Sequence, residues 1–302
     1  MYQTFTALER PDLYEAFQQP SHPLSQIWPA YMGGTSSKIK YWHLLPVFPE
    51  TARFQIMVVV PDSSDGTGEG VRIVARANAI PFHRPVSDSH DLAPLPDGGM
   101  DEALQLGMEL HLNRNSSGAP QPEANTLSAL SIAVDPAWRN KGIAGLLVKA
   151  LRQAAADAGL WGLVVPARPT LKHRYPDVGM AEYVQWTSDG GSDAPCLGAG
   201  SRDSPFDPWL RRHVQLGARM VKIAPRSMTV EADAETWTRW LGADPFAQAV
   251  REASGRQVDE SGQEVFLVGI PQGLVKLRYW PSTGIARYVE PNVWMEYDEL
   301  RA

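Results

Sequence analysis

Between residues 127 and 165 the spacing of apolar positions changes twice. Leu127 to Val134 is a short apolar run with β-branched members, closed by Asp135-Pro136, and predicts a buried strand ending in a turn. From Ile143 the period lengthens. Ile143, Leu146, Leu147, Ala150, Leu151, Ala154 and Ala158 recur at helical spacing, with Lys149, Arg152, Gln153 and Asp157 on the opposite side. Gly159 stands where such a helix wants a left-handed C-terminal residue. Leu160 to Val165 predicts a second strand, which completes a strand-loop-helix-strand unit of crossover length.

The same pattern predicts the flanking elements. Met1 to Gly34 is polar, partly helical and broken by prolines, which suits a packing arm. Ile39 to Leu45 and Phe54 to Val60 are expected as strands; the alternating run Val71 to Ile80 pairs back on the second of these as a hairpin. Asp62 to Gly70, His83 to Gly99 and Asn113 to Asn125 are Gly-, Ser-, Pro- or Asp-rich and predict loops. Met100 to His111 has helical periodicity behind an acidic start. After a Pro-rich segment from Pro166 to Pro176, Glu182 to Trp186 predicts a short helix, and a Gly/Ser/Asp tract around Cys196 predicts an exposed loop. Asp207-Pro208 starts a helix that Gly217 stops, followed by strand through Val221 to Glu231. Asp233 to Gly242 is a capped helix, 251–264 a polar loop, and Val265 to Ile270, Gly273 to Trp280 and Gly284 to Val289 are expected strands.

The chemical centre is the link between the first strand and its helix, Arg139-Asn140-Lys141-Gly142-Ile143-Ala144. A helix N-terminus presents unpaired N–H groups and partial positive charge, so it attracts phosphate. Gly142 and Ala144 lack the bulk that would hold a ligand off those amides, and Arg139 and Lys141 add mobile positive charge. A diphosphate fits such a seat. The glycines of the P-loop and of the dinucleotide fingerprint are absent.

Val134-Asp-Pro-Ala-Trp-Arg139-Asn-Lys-Gly142-Ile-Ala144, with Leu146-Leu147 after it, resembles the R/Q-x-x-G-x-G/A acyl-CoA signature of the GNAT superfamily of N-acetyltransferases. The resemblance implies an α/β (α+β) fold: a mixed, mostly antiparallel central sheet with a splayed strand pair, flanked by helices, here followed by a C-terminal β-rich extension. It implies acetyl-CoA or another acyl-CoA as co-substrate, with Ile132, Ala133 and Val134 along the pantetheine arm and Arg139 to Ala144 around the pyrophosphate. Residues 38–233 would form the acyl-CoA-binding catalytic core, 1–37 the arm and 234–302 the extension. That extension would cover the acceptor site or serve as a dimer surface, so a homodimer is a further expectation.

A second signature of that family has an aromatic, usually Tyr, four residues before the glycine that ends a helix; here His213 stands four residues before Gly217. A histidine can protonate a departing thiolate, or it can be a helix residue packed under capping carbonyls. Arg168, His173 and Tyr175 sit at the carboxyl end of the second strand, where open sheets place ligand sites. They are read either as a cofactor or acceptor wall or as a Pro-stiffened surface loop. The general base is open among Glu109, His111, His173, Glu182 and an ordered water.

Composition narrows the class. A net charge of −6 and the lack of a long basic run give a nucleic-acid partner little support. One cysteine, Cys196, rules out an internal disulfide and a multi-cysteine zinc site, and no metal is expected. No apolar stretch reaches spanning length and the N-terminus has no export pattern, so a cytoplasmic location without membrane contact is expected. The expected function is acyl transfer from acyl-CoA to the amine of a small molecule by direct attack in a ternary complex. The alternatives are an acyl-thioester enzyme acting on a carrier-protein thiol and a non-catalytic CoA-binding protein.

Overall fold

The computed structural model describes residues 2–19, 21–62, 70–87, 92–113, 122–188 and 204–297. Its strands are β1 (Gln3–Thr6), β2 (Ile56–Asp62), β3 (Gly70–Phe82), β4 (Thr126–Val134), β5 (Gly162–Ala167), β6 (Ala218–Asp233), β7 (Arg256–Val258), β8 (Glu264–Val268), β9 (Leu277–Trp280) and β10 (Ile285–Tyr297). The helices are α1 (Pro11–Gln18), α2 (Ser36–Tyr41), α3 (Pro49–Ala52), α4 (Gly99–Asn113), α5 (Ile143–Asp157), α6 (Met180–Tyr183), α7 (Pro208–Gln215), α8 (Ala234–Leu241) and α9 (Phe246–Glu252).

The strands form one sheet in the order β1-β2-β3-β4-β5-β10-β9-β8-β7, with β6 on the other edge of β10. β4 and β5 run parallel, while the other pairs among the described residues are antiparallel. The expected mixed, mostly antiparallel sheet is present. The C-terminal segment contributes more than a covering: β10 pairs with β6 along its length and with β5 at Val293–Glu296, which puts the last described strand in the middle of the sheet.

Alternation decides which helix covers which face. On β3, Ala75, Ala77 and Ala79 point into the cluster built with Ile143, Leu147, Leu151 and Ala155 of α5. Arg76, Asn78 and Ile80 alternate with them and face the opposite side, where Ile80 packs with Leu104 and Met108 of α4. The α5 helix ends as predicted: Gly159 has φ +69°, and the amides of Gly159 and Leu160 bond back to Ala156 and Ala155. Asp207 caps α7 by accepting from the amides of Trp209 and Leu210, and Gly217 at φ +90° stops that helix.

Three expectations fail locally. Ile39–Leu45 is not a strand: Thr35 caps α2 by accepting from the Lys38 amide, and Ser37, Tyr41 and Leu45 are buried at a four-residue interval. The 251–264 segment is not featureless, since α9 enters it and β7 pairs with β8. The strand expected to stop at Val289 continues through Pro291 to Tyr297, with a register shift between Glu290 and Asn292 that absorbs the proline. Cys196 lies outside the described residues.

Candidate active site

β4 and β5 are paired only at Thr126–Gly162, Leu127–Leu163 and Ser128–Val164. Beyond Ser128 they part, although β4 continues to Val134 and β5 to Ala167. The cause is local. Asn78 pairs with Ser131 and Ala79 with Ala129, so Leu130 is an extra residue that bends β4 and turns it from its neighbour. The β4 backbone from Leu130 onward is therefore left unpaired by β5, the parting that the resemblance implies.

Beyond the end of β4 the Arg139–Ala144 loop leads into α5. Asn140 and Gly142 both have positive φ, +61° and +78°, and Gly142 leads directly into α5. Alternating left-handed residues before a helix N-terminus turn successive amides to one side. A Cβ built on Gly142 meets nothing within 4 Å, so the space over these amides is open. Arg139, Asn140, Lys141 and Gly142 are exposed, Ala144 is half-buried and Ile143 is anchored in the core. The Lys141 ammonium lies 4.3 Å from the Trp138 ring centroid, and the Arg139 Nε is 3.4 Å from the Val134 carbonyl. Asp135 fixes the approach: it accepts from the Ala137 amide and from Arg72. The residues present fit a diphosphate bound by amides and flanked by two exposed cations.

The structure separates the other candidates. Arg168 is engaged by the C-terminal segment: its Nε and Nη2 bond the buried Glu290 carboxylate at 2.9 and 3.0 Å, and Nη2 also reaches the Gln272 carbonyl. Pro-stiffening does not leave it in water; Glu290 draws it into the sheet. His173 bonds the Thr170 carbonyl through Nδ1 at 2.8 Å. Tyr175 packs edge-on to Trp186 in an aromatic group with Tyr183 and Phe206. Glu109, on α4, accepts from Tyr41 and Gln105.

His213 is fully buried, and its Nδ1 and the Tyr297 hydroxyl hydrogen-bond at 2.7 Å. Desolvation pushes its pKa down to about 3. At neutral pH the ring carries no additional proton to give, which is the physical difference from an exposed histidine at the same helix position. Sequence reasoning overlooked Glu290 and the Leu130 bulge. A proline inside an apolar run marks the first, because Pro291 signals a ladder break beside it; nothing in the composition of β4 marks the second.

Among the described residues no group of three or more His, Cys, Asp or Glu side chains is placed to hold a metal ion. Among the described residues no helix is long and apolar enough to cross a membrane.

Residues 110–173, which span β4, the loop, α5 and β5, match the acetyltransferase (GNAT) family. The chain is 38% identical over 294 residues to the arginine N-acetyltransferase avaD of Aspergillus versicolor, covering 97% of this chain and 93% of that protein. Among solved structures, the loading GNATL domain of CurA from Lyngbya majuscula is similar at 14% identity with a TM-score of 0.49, over 99% of this chain and 98% of that one. The aminoglycoside 6'-N-acetyltransferase from Enterococcus faecium is similar at 12% identity with a TM-score of 0.37, over 100% and 98%. With the loop, the parted strands and a relative matched along nearly its whole length, the chain belongs to the acetyltransferase (GNAT) family.

Proposed function

We propose that the protein transfers an acetyl, or another short acyl, group from acyl-CoA to an amine of a small amino-acid-like acceptor, with arginine the first acceptor to test. The observation that carries the reading is the parting of β4 and β5 directly above the Arg139–Ala144 loop. The similarity to an arginine N-acetyltransferase supports the choice of acceptor.

In this reading the loop amides, Arg139 and Lys141 hold the diphosphate, and the free edge of Ile132, Ala133 and Val134 aligns the pantetheine arm. A backbone N–H exposed by the Leu130 bulge meets the thioester carbonyl, where negative charge develops as the amine attacks. Holding both reactants in one cleft supplies proximity and orientation, so no enzyme nucleophile is required. The attacking nitrogen bonds to the acyl carbon and the C–S bond breaks. The proton lost by nitrogen passes to water and the thiolate leaves with CoA. His213, neutral and buried against Tyr297, sets the position of α7 against β10 rather than donating a proton.

The test is calorimetric titration with acetyl-CoA, followed by acetyl transfer to arginine and a panel of other amines. Selective binding of CoA species, lost in Arg139→Ala and Gly142→Glu, with turnover on an amine acceptor, is the expected result. Unchanged affinity in both variants would overturn the placement of the diphosphate, and binding without turnover on any amine would overturn the activity.

A further inference from the structure

On the sheet face opposite α5, one strand from the point where β4 and β5 part, a guanidinium is buried without a counter-ion. Arg76 is 8% exposed. Its Nη1 donates to Asn78 Oδ1 at 2.9 Å, its guanidinium lies 4.7 Å from the Phe17 ring centroid, and its Nε has no hydrogen-bond partner. Among the described residues no carboxylate forms an ion pair with it; Asp135, at the end of β4, is taken by Arg72. Burial lowers the Arg76 pKa, and the Tyr14 hydroxyl is the group that opposes this. A buried cation without an anion is costly, so the position needs an explanation.

The surrounding network is satisfied everywhere except at this end. Asn78 donates to Tyr14 and to Gln55, and Gln55 donates to the Thr51 and Ala79 carbonyls. Across the ladder Asn78 is paired with Ser131 and Arg76 with Ala133, so Ser131 shares the Arg76 face. The Ser131 hydroxyl is also buried without a partner, as is the indole N–H of Trp28, which packs on the same apolar cluster as Leu130. The Arg76 Nε and the Ser131 hydroxyl, both without a partner, thus lie on one face beside the bulge. Both can donate to an anion.

We propose that Arg76, with Ser131, seats the carboxylate of an amino-acid acceptor. The site rests on the acceptor reading above and deepens it: the substrates are amines that carry a carboxylate, and the carboxylate supplies the missing counter-ion. An amine whose acid is removed or amidated leaves the Arg76 charge unpaired in the complex. Discrimination against a ligand that leaves a buried charge unsatisfied is large, so about a 100-fold preference for the acid over its amide is expected.

The test uses the full chain loaded with CoA, which cannot react, and measures binding of L-arginine, L-lysine and L-ornithine against arginine amide, lysine amide and agmatine by calorimetry. Wild-type protein is expected to bind the acids about 100-fold more tightly than the amides. Arg76→Met is expected to erase that preference, to leave CoA affinity unchanged and to leave thermal stability equal or higher, since an uncompensated buried charge is removed. Arg76→Lys should keep part of the preference. Turnover with acetyl-CoA is followed separately. Carboxylate-selective, Arg76-dependent binding without turnover would sink the proposed activity and retain this site. Equal binding of acids and amides, no binding of any acid, or an Arg76→Met variant that loses stability and weakens both classes alike would show Arg76 to be structural and overturn the proposal.

Discussion

Arg168 and Glu290 meet where β5 ends against the open middle of β10, as a two-pronged ion pair with Glu290 wholly buried and the Arg168 side chain 14% exposed. Burial works against the guanidinium's charge, and Glu290 more than offsets it, so the Arg168 pKa is raised. The pair does not stand alone. Tyr288 donates to Glu290 at 2.6 Å and Asn292 at 3.2 Å; Ser227 donates to Asn292 and accepts from the Met100 amide at the start of α4. A single carboxylate thus ties the end of β5 to the bulge of β10 and, through two further side chains, to the helix on that face.

Replacing Glu290 by Ala is therefore expected to cost about 3–5 kcal/mol, because it strands Arg168 in the interior. The double variant Arg168→Met/Glu290→Leu should recover most of the loss. Urea denaturation of the two variants decides the matter. Equal destabilisation would mean that the geometry of the pair, rather than compensation of the buried charge, is what the fold needs.

The His213 pKa, about 3 when folded, lies below its ordinary 6.5. Below pH 6.5 the unfolded chain takes up a proton that the folded chain refuses, so this group's contribution is complete above 6.5 and is lost as pH falls toward 3. The slope is up to ~1.4 kcal/mol per pH unit. His213→Gln should flatten the acid limb of a melting-temperature profile by about one proton, and the pH dependence of acyl transfer should show no step between pH 5 and 8 that this substitution removes. A neutral-pH step that vanishes in His213→Gln would restore the ring as a proton donor.

The strand-loop-helix unit was legible because its signals are local. Apolar period, the Asp207 cap, the Gly159 and Gly217 stops and the open Gly142 need only neighbouring residues to operate. The position of β10 was not, because sequence pattern does not say which strand an edge will accept; β10 enters between β5 and β6 from more than a hundred residues beyond β5. His213 was left open between a proton donor and a packed helix residue, and Arg168 between a ligand wall and a water-facing loop. Their character is set by distant partners, Tyr297 and Glu290, whose approach only the assembled sheet creates.

Gly142 offers a cleaner separation of fold from binding. Its φ of +78° disfavours any side chain, yet a Cβ there meets nothing within 4 Å. Gly142→Ala should lower stability by only about 1 kcal/mol. Its methyl would stand over the amides a phosphate approaches, so acetyl-CoA affinity should fall at least about tenfold, an energy of ~1.4 kcal/mol. Acetyl-pantetheine, which lacks the diphosphate, should bind wild type and variant equally. If both ligands weaken together, the loop acts through the cleft and not as a phosphate seat.

Lys172 gives the last test, on how the C-terminal segment is held. Its side chain is buried, and its ammonium donates to the Tyr175 and Leu274 carbonyls at 2.7 Å each, joining the turn after β5 to the chain before β9. Lys172→Met keeps length and apolar volume but withdraws both donors. The Leu274 carbonyl loses this donor in a closed environment, whereas the Tyr175 carbonyl keeps the Val178 amide, and a loss of about 1–3 kcal/mol is expected. Amide exchange should accelerate first around Leu274 and Tyr288, since the Leu274 amide donates to the Tyr288 hydroxyl and both lie at the junction that Lys172 closes. Faster exchange confined to 172–175 would show instead that the lysine braces only its own turn.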